Sequence, residues 1–190
     1  NDEALPVISS VSLDGSNGFI DVTFSEGVFN TNGGTGALET TDFDLNLTGG
    51  TATSPTVTSV TQTGGGALAG GETTIRVNFT VTGTPDGGET LEVDITDAAS
   101  IFDAAGNGAV ANQTSGNTAT LNDQAPPTAP SVAPDLLAAS DLGSSSTDDI
   151  TTDVTPTFTI SGFTAVTGDI VRIYDGGTGG TLLGTSAALT

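Results

Sequence analysis

The sequence predicts an all-β fold built from tandem modules, and three observations carry that expectation. Apolar residues recur at every second position in many short runs, glycine-rich clusters separate those runs, and a short acidic segment is echoed about one domain later. The echo pairs Asn1-Asp2-Glu3-Ala4-Leu5-Pro6 with Asn122-Asp123-Gln124-Ala125-Pro126-Pro127. A chain of 190 residues suffices for one large or two modest cores, and the echo favours two.

The elements follow in order. Val7 to Leu13 opens the first module, and in Ile20-Asp21-Val22-Thr23-Phe24 the apolar side chains fall on one face. Phe43-Asp44-Leu45-Asn46-Leu47 repeats the pattern, and Pro55 to Thr61 adds a strand rich in Thr and Val. Ile75 to Val81 and Leu91 to Ile95 alternate most cleanly, and Thr118 to Leu121 closes the set. Asn32-Gly33-Gly34, Gly49-Gly50, Gly64-Gly65-Gly66 and Asp86-Gly87-Gly88 supply the turns between them. No stretch carries a helical period. About seven half-buried antiparallel strands in some 120 residues read as an immunoglobulin-like β-sandwich. Cysteine and tryptophan are absent, so the antibody type is excluded.

This gives a first module over residues 1–122, a Pro-rich, semi-rigid linker over 123–130, and a second module over 131–190. The second shows an acidic, Ser-rich loop and then strands at Thr157 to Ile160, Ile170 to Tyr174 and Thr181 to Leu189, with a hairpin turn at Gly176-Gly177-Thr178-Gly179-Gly180. Three or four strands leave an apolar face uncovered, so this module is expected to be incomplete. Either the chain stops within a domain, the preferred reading, or another copy donates the missing strands.

Charge narrows the partners. Twenty-three acidic residues stand against two arginines, with no lysine or histidine, for a formal charge of minus 21. Nucleic acid and anionic membrane surfaces would be repelled, leaving cations, other proteins or neutral sugars. No apolar run approaches a membrane span, and the opening Asn1-Asp2-Glu3 has no leader pattern, as expected of a mature piece of a longer protein. Without His, Cys or Lys there is no acyl-transfer triad, Schiff base or ordinary zinc site. Glu89 and Glu92 are spaced to point to opposite faces of a strand, which defeats glycosidase geometry. Enzyme activity is therefore not expected. Arg76 and Arg172 lie in strands and are each expected to meet a cross-strand carboxylate.

The carboxylates concentrate in loops with Gly, Asn and Ser, which suits calcium better than the uniform acidic coat of a salt-adapted protein. The densest cluster is Asp141, Ser144, Asp148, Asp149 and Asp153, with Asp135 upstream; the alternative is a solvated acidic loop. Asp103 and Asn107 flank Ala-Ala-Gly, a spacing that fits a cation site helped by Glu26 or Asp97, or an Asx-type turn closed on its own backbone. Asp2, Glu3 and Asp123 are candidates at the module junctions.

Several of these segments resemble the tandem immunoglobulin-like repeats of giant bacterial surface and biofilm adhesins. In the first module the resemblance rests on Val22-Thr23-Phe24-Ser25-Glu26-Gly27-Val28 and Ile101-Phe102-Asp103-Ala104-Ala105-Gly106-Asn107. In the second it rests on the run from Asp135 to Phe158, with Ile173-Tyr174-Asp175-Gly176-Gly177 and Leu182-Leu183-Gly184-Thr185. The resemblance implies a non-catalytic, extracellular, cell-surface spacer or stalk, stiffened by Ca2+ at or near its junctions. Its partners would be neighbouring repeats or other copies, with a surface glycan or protein as target. Two rivals stand beside it: a filament or surface-layer subunit completed by strand donation, and a carbohydrate-binding accessory module of a secreted hydrolase. The second rival is weakened by the lack of tryptophan and the single tyrosine.

Overall fold

Strands form where the alternation is cleanest. In the computed structural model, which describes residues 3–165, 168–175 and 178–189, contacts divide the chain into one unit ending at Ala125 and another beginning at Pro126. Among the described residues the first unit has β1 (Ile8–Leu13), β2 (Phe19–Val28), β3 (Phe43–Thr48), β4 (Thr53–Thr61), β5 (Glu72–Thr82), β6 (Thr90–Ile95) and β7 (Thr118–Thr120). All pairings are antiparallel, in a four-stranded sheet ordered β1-β2-β5-β4 and a three-stranded sheet ordered β3-β6-β7.

The apolar half of each alternation enters one shared core. Ile20, Val22 and Phe24 of β2 and Ile75, Val77 and Phe79 of β5 meet Phe43 of β3 and Leu91, Val93 and Ile95 of β6 in a single buried cluster. Each such side chain contributes about 1.5–3 kcal/mol when fully buried. Thr and Val suit this geometry because branching at Cβ packs well on a pleated surface.

Local departures from the pattern have identifiable causes. A short 3₁₀ turn, Thr40–Asp42, precedes β3, where Asp42 accepts the Glu39 N–H at 2.7 Å. In β2 the ladder to β5 breaks between Thr23 and Val28, so the Ser25-Glu26-Gly27 segment bulges out of register. Gly27 is needed there, since a Cβ would stand 2.8 Å from the Gly71 carbonyl oxygen.

Across the four-stranded sheet Asp21 faces Arg76, and the guanidinium donates two bonds to its carboxylate, Nε to Oδ1 at 2.8 Å and Nη2 to Oδ2 at 3.0 Å. The same group lies 3.4 Å from the Phe19 ring centroid. The cross-strand carboxylate expected for Arg76 is thus Asp21. Arg172 is different: its register partner on the neighbouring strand is Thr185, not a carboxylate residue.

Among the described residues the second unit contains two separate ribbons. β8 (Asp135–Leu136) pairs with β9 (Phe158–Thr159), and β10 (Arg172–Asp175) with β11 (Thr181–Thr185). β8 falls inside a segment read as loop, because two residues are too few to carry a period. The expected strand to Leu189 ends at Thr185, after which Leu189 donates to the Asp169 carbonyl at 2.8 Å. Gly176 and Gly177 of the expected hairpin turn lie outside the described residues. Ile150, Val154 and Leu183 stand exposed, Val154 at 93 %.

Candidate cation site

The carboxylates of the first unit are largely used to tie down their own loops. Asp103 is 1 % exposed, and its Oδ1 accepts the Asn107 backbone N–H at 2.7 Å while its Oδ2 accepts the Asn107 side-chain amide at 2.7 Å. Burial alone would raise the pKa of this carboxyl. The bonds from the Asn107 side chain and from the Asn107, Gly106 and Ala105 backbone outweigh burial and hold it below the usual range. Of the two readings of the Asp103–Asn107 spacing, the closed turn accounts for these contacts. Glu26 sits half-buried in the β2 bulge, while Asp97 is exposed and accepts the Ala99 N–H at 2.6 Å. Asp97 is close enough to Asp42 to help raise the pKa of that carboxyl, after burial itself as the main cause.

At the other end of this unit Asp123 is half-buried and accepts the Ala125 N–H at 2.7 Å. Glu3 is exposed, and Asp2 lies outside the described residues. Asn122, the companion of Asp123 in the echo, joins two distant loops. Its backbone N–H donates to Asn17 Oδ1 at 2.9 Å, and Asn17 returns its amide to the Asn122 carbonyl at 2.7 Å.

A residue passed over on chemical grounds turns out to organise this end. Glu89 is 0 % exposed, and its carboxylate accepts the N–H groups of Thr51 and Ala52 at 2.8 Å and of Asp86 and Gly87 at 3.1 Å. One side chain therefore clamps two connections between sheets, β3 to β4 and β5 to β6. Burial opposes its ionisation, but the bonds from Ala52, Asp86 and Thr51 win and keep its pKa low. The one available signal was its place directly after Asp86-Gly87-Gly88, a turn whose N–H groups need an acceptor.

In the second unit the Asp-rich loop separates into one buried carboxylate and several exposed ones. Asp141 is 4 % exposed, and both of its carboxylate oxygens are hidden with no hydrogen-bond partner. It sits on a turn in which Ser140 and Asp141 both donate their N–H to the Leu137 carbonyl, at 2.7 and 3.1 Å. The preceding residue, Ser140, ties the loop together. The Thr151 hydroxyl donates to the Ser140 carbonyl, and the Ser140 hydroxyl accepts the Thr157 N–H at 3.1 Å. Asp153 is half-buried, accepts the Thr155 N–H at 2.9 Å, and has its pKa lowered chiefly by that bond, with help from the Thr155 and Ser140 hydroxyls.

Asp148 and Asp149 are exposed, as is Asp135 on β8; Asp148 accepts the Ile150 N–H at 3.2 Å, and Asp149 has a left-handed backbone with φ of 54°. Among the described residues no three carboxylates converge into a cation cage. What the loop offers is one buried carboxylate in a segment that also carries the hydroxyl and carbonyl oxygens of Ser140 and Thr151, oxygen donors of the kind a hard cation takes.

No family model, curated protein or solved structure matches this chain. No helix among the described residues is long and apolar enough to cross a membrane.

Proposed function

We propose that this chain is a non-catalytic repeat segment of an extracellular bacterial surface adhesin, a spacer or stalk stiffened by Ca2+. The observation that carries the reading is Asp141. A buried carboxylate with no donor costs several kcal/mol, and a divalent cation offsets that cost by supplying charge and taking up neutral oxygens. Asp141 would hold it, with Asp153 and the Ser140 and Thr151 oxygens around it; the ion would fix a loop that has little apolar packing of its own. The strand order adds support for an immunoglobulin-like sandwich. Four strands as β1-β2-β5-β4 facing three as β3-β6-β7 is the arrangement of the constant-type immunoglobulin fold, a common extracellular module.

The test is thermal unfolding of the intact chain at fixed high salt, with millimolar calcium or with chelator, for the native sequence and Asp141→Asn. Calcium at about a hundred times its Kd would stabilise by about 2.7 kcal/mol. The shift is expected in the native sequence and lost in the variant, which removes the buried carboxylate. Equal melting with calcium and chelator would refute the cation site.

A filament completed by strand donation is the second reading, favoured by the apolar groove of the second unit lined by Pro156, Phe158, Ile160, Val171 and Ile173. Size measurement separates the two, with monomers for a spacer and a ladder of polymers for a filament.

A further inference from the structure

Asn-Gly occurs three times, as Asn17-Gly18, Asn32-Gly33 and Asn107-Gly108, and the fold treats the three pairs very differently. This dipeptide can modify itself. The backbone nitrogen of the glycine, once deprotonated, attacks the asparagine Cγ and expels the side-chain nitrogen as ammonia, closing a five-membered succinimide. Water then opens the ring at either carbonyl, leaving an aspartate or an isoaspartate. Reaction needs an asparagine side chain free to rotate, an unengaged glycine N–H and room for the ring.

Asn17 fails the first of these conditions, because its side chain is locked. It is 7 % exposed, its amide donates to the Asn122 carbonyl, and its Oδ1 accepts both the Asn122 backbone N–H and the Asn122 side-chain amide at 3.0 Å. Asn107 is held by its amide on Asp103 and by its carbonyl, which accepts the Asp103 N–H at 3.0 Å. The adjoining peptide is enclosed, since a Cβ on Gly108 would stand 2.0 Å from the Ala98 carbonyl oxygen.

Asn32 is exposed at the tip of a loop whose base is closed by Thr31 and Thr35, backbone N–H to carbonyl at 3.0 Å. No atom lies within 4 Å of a Cβ built on Gly33, whose φ is 99°. Among the described residues no hydrogen bond engages the Asn32 side chain or the Gly33 N–H.

We propose that Asn32 is a self-modification site, converted through a succinimide with Gly33 while the protein stays folded, and that Asn17 and Asn107 are protected by the fold. The product has a structural consequence. Asn32 leans over Gly106, where a Cβ would come within 2.4 Å of its Oδ1. A new carboxylate therefore arises against the turn that holds the buried Asp103, and an isoaspartate also lengthens the backbone of the 31–35 loop by one carbon. The site marks the age of the molecule by adding charge and loosening contact between these two loops.

The experiment is incubation of the intact chain at mildly alkaline pH, with peptide mapping by mass spectrometry and isoaspartyl methyltransferase as the probe of the isomer. Position 32 is expected to convert about tenfold faster than 17 or 107, a barrier difference of about 1.4 kcal/mol. The rate should rise with pH, and the product should be a mixture of aspartate and isoaspartate. In denaturant the three positions should react at similar rates, because the protection is tertiary. Conversion at 32 no faster than at 17 and 107 in the folded protein, or aspartate without isoaspartate, would overturn the proposal.

Discussion

Replacing Glu89 by glutamine keeps the size of the side chain and removes its charge and one acceptor oxygen. If the remaining oxygen stays on Thr51 and Ala52, where the bonds are 2.8 Å, the new NH2 group faces the N–H groups of Asp86 and Gly87, donor against donor. Two charge-assisted bonds are lost at about 1.5–3 kcal/mol each. Asp86 and Gly87 are partly reached by water, which places the sum near the lower end, at about 3 kcal/mol. For a unit of this size that is a fall in Tm of about 10 °C. Urea unfolding followed by circular dichroism, with an unchanged slope against denaturant, measures it.

The effect should depend on pH in one direction. The folded pKa of Glu89 is held below its unfolded value, so its contribution is complete above the ordinary value of 4.5 and lost as pH falls through the folded pKa. Native protein and Glu89→Gln should therefore converge in acid. A loss below about 1 kcal/mol at neutral pH, or a gap that widens in acid, would refute the clamp.

Two further predictions follow from the same surroundings and from β1. Gly50→Ala places a Cβ 2.2 Å from Glu89 Cδ at a φ of 55°, and should cost about 3 kcal/mol, whereas Gly65→Ala, with φ of 84° and open space, should cost about 1 kcal/mol; paired melting curves compare them. Gln113 accepts the Ile8 N–H at 3.0 Å and donates to the Ile8 carbonyl, so Gln113→Ala should lose about 1–2 kcal/mol and speed hydrogen exchange at the Ile8 amide first.

How much was legible in the sequence follows from the range of each interaction. The strands of the first unit were readable because a period of two in Ile20, Val22 and Phe24, or in Ile75, Val77 and Phe79, leaves one face to bury, and only a sheet satisfies it. The turns were readable because Gly49, Gly50 and Gly87 adopt backbone angles that other residues resist. In the second unit the pattern is short and broken, and the two-residue β8 and β9 exist only through each other.

The sequence by itself determined the all-β class, the turn positions and the excess of carboxylates. Tertiary structure decided what each carboxylate does. Asp103 closes a turn, Asp21 receives Arg76, Glu89 clamps two connections, and among the described carboxylates Asp141 is the one buried without a donor. Composition cannot separate these fates, because an acidic side chain is defined by the donors that folding brings to it. Those donors come from far along the chain: Glu89 binds N–H groups near residue 51, and Asn17 is locked by Asn122.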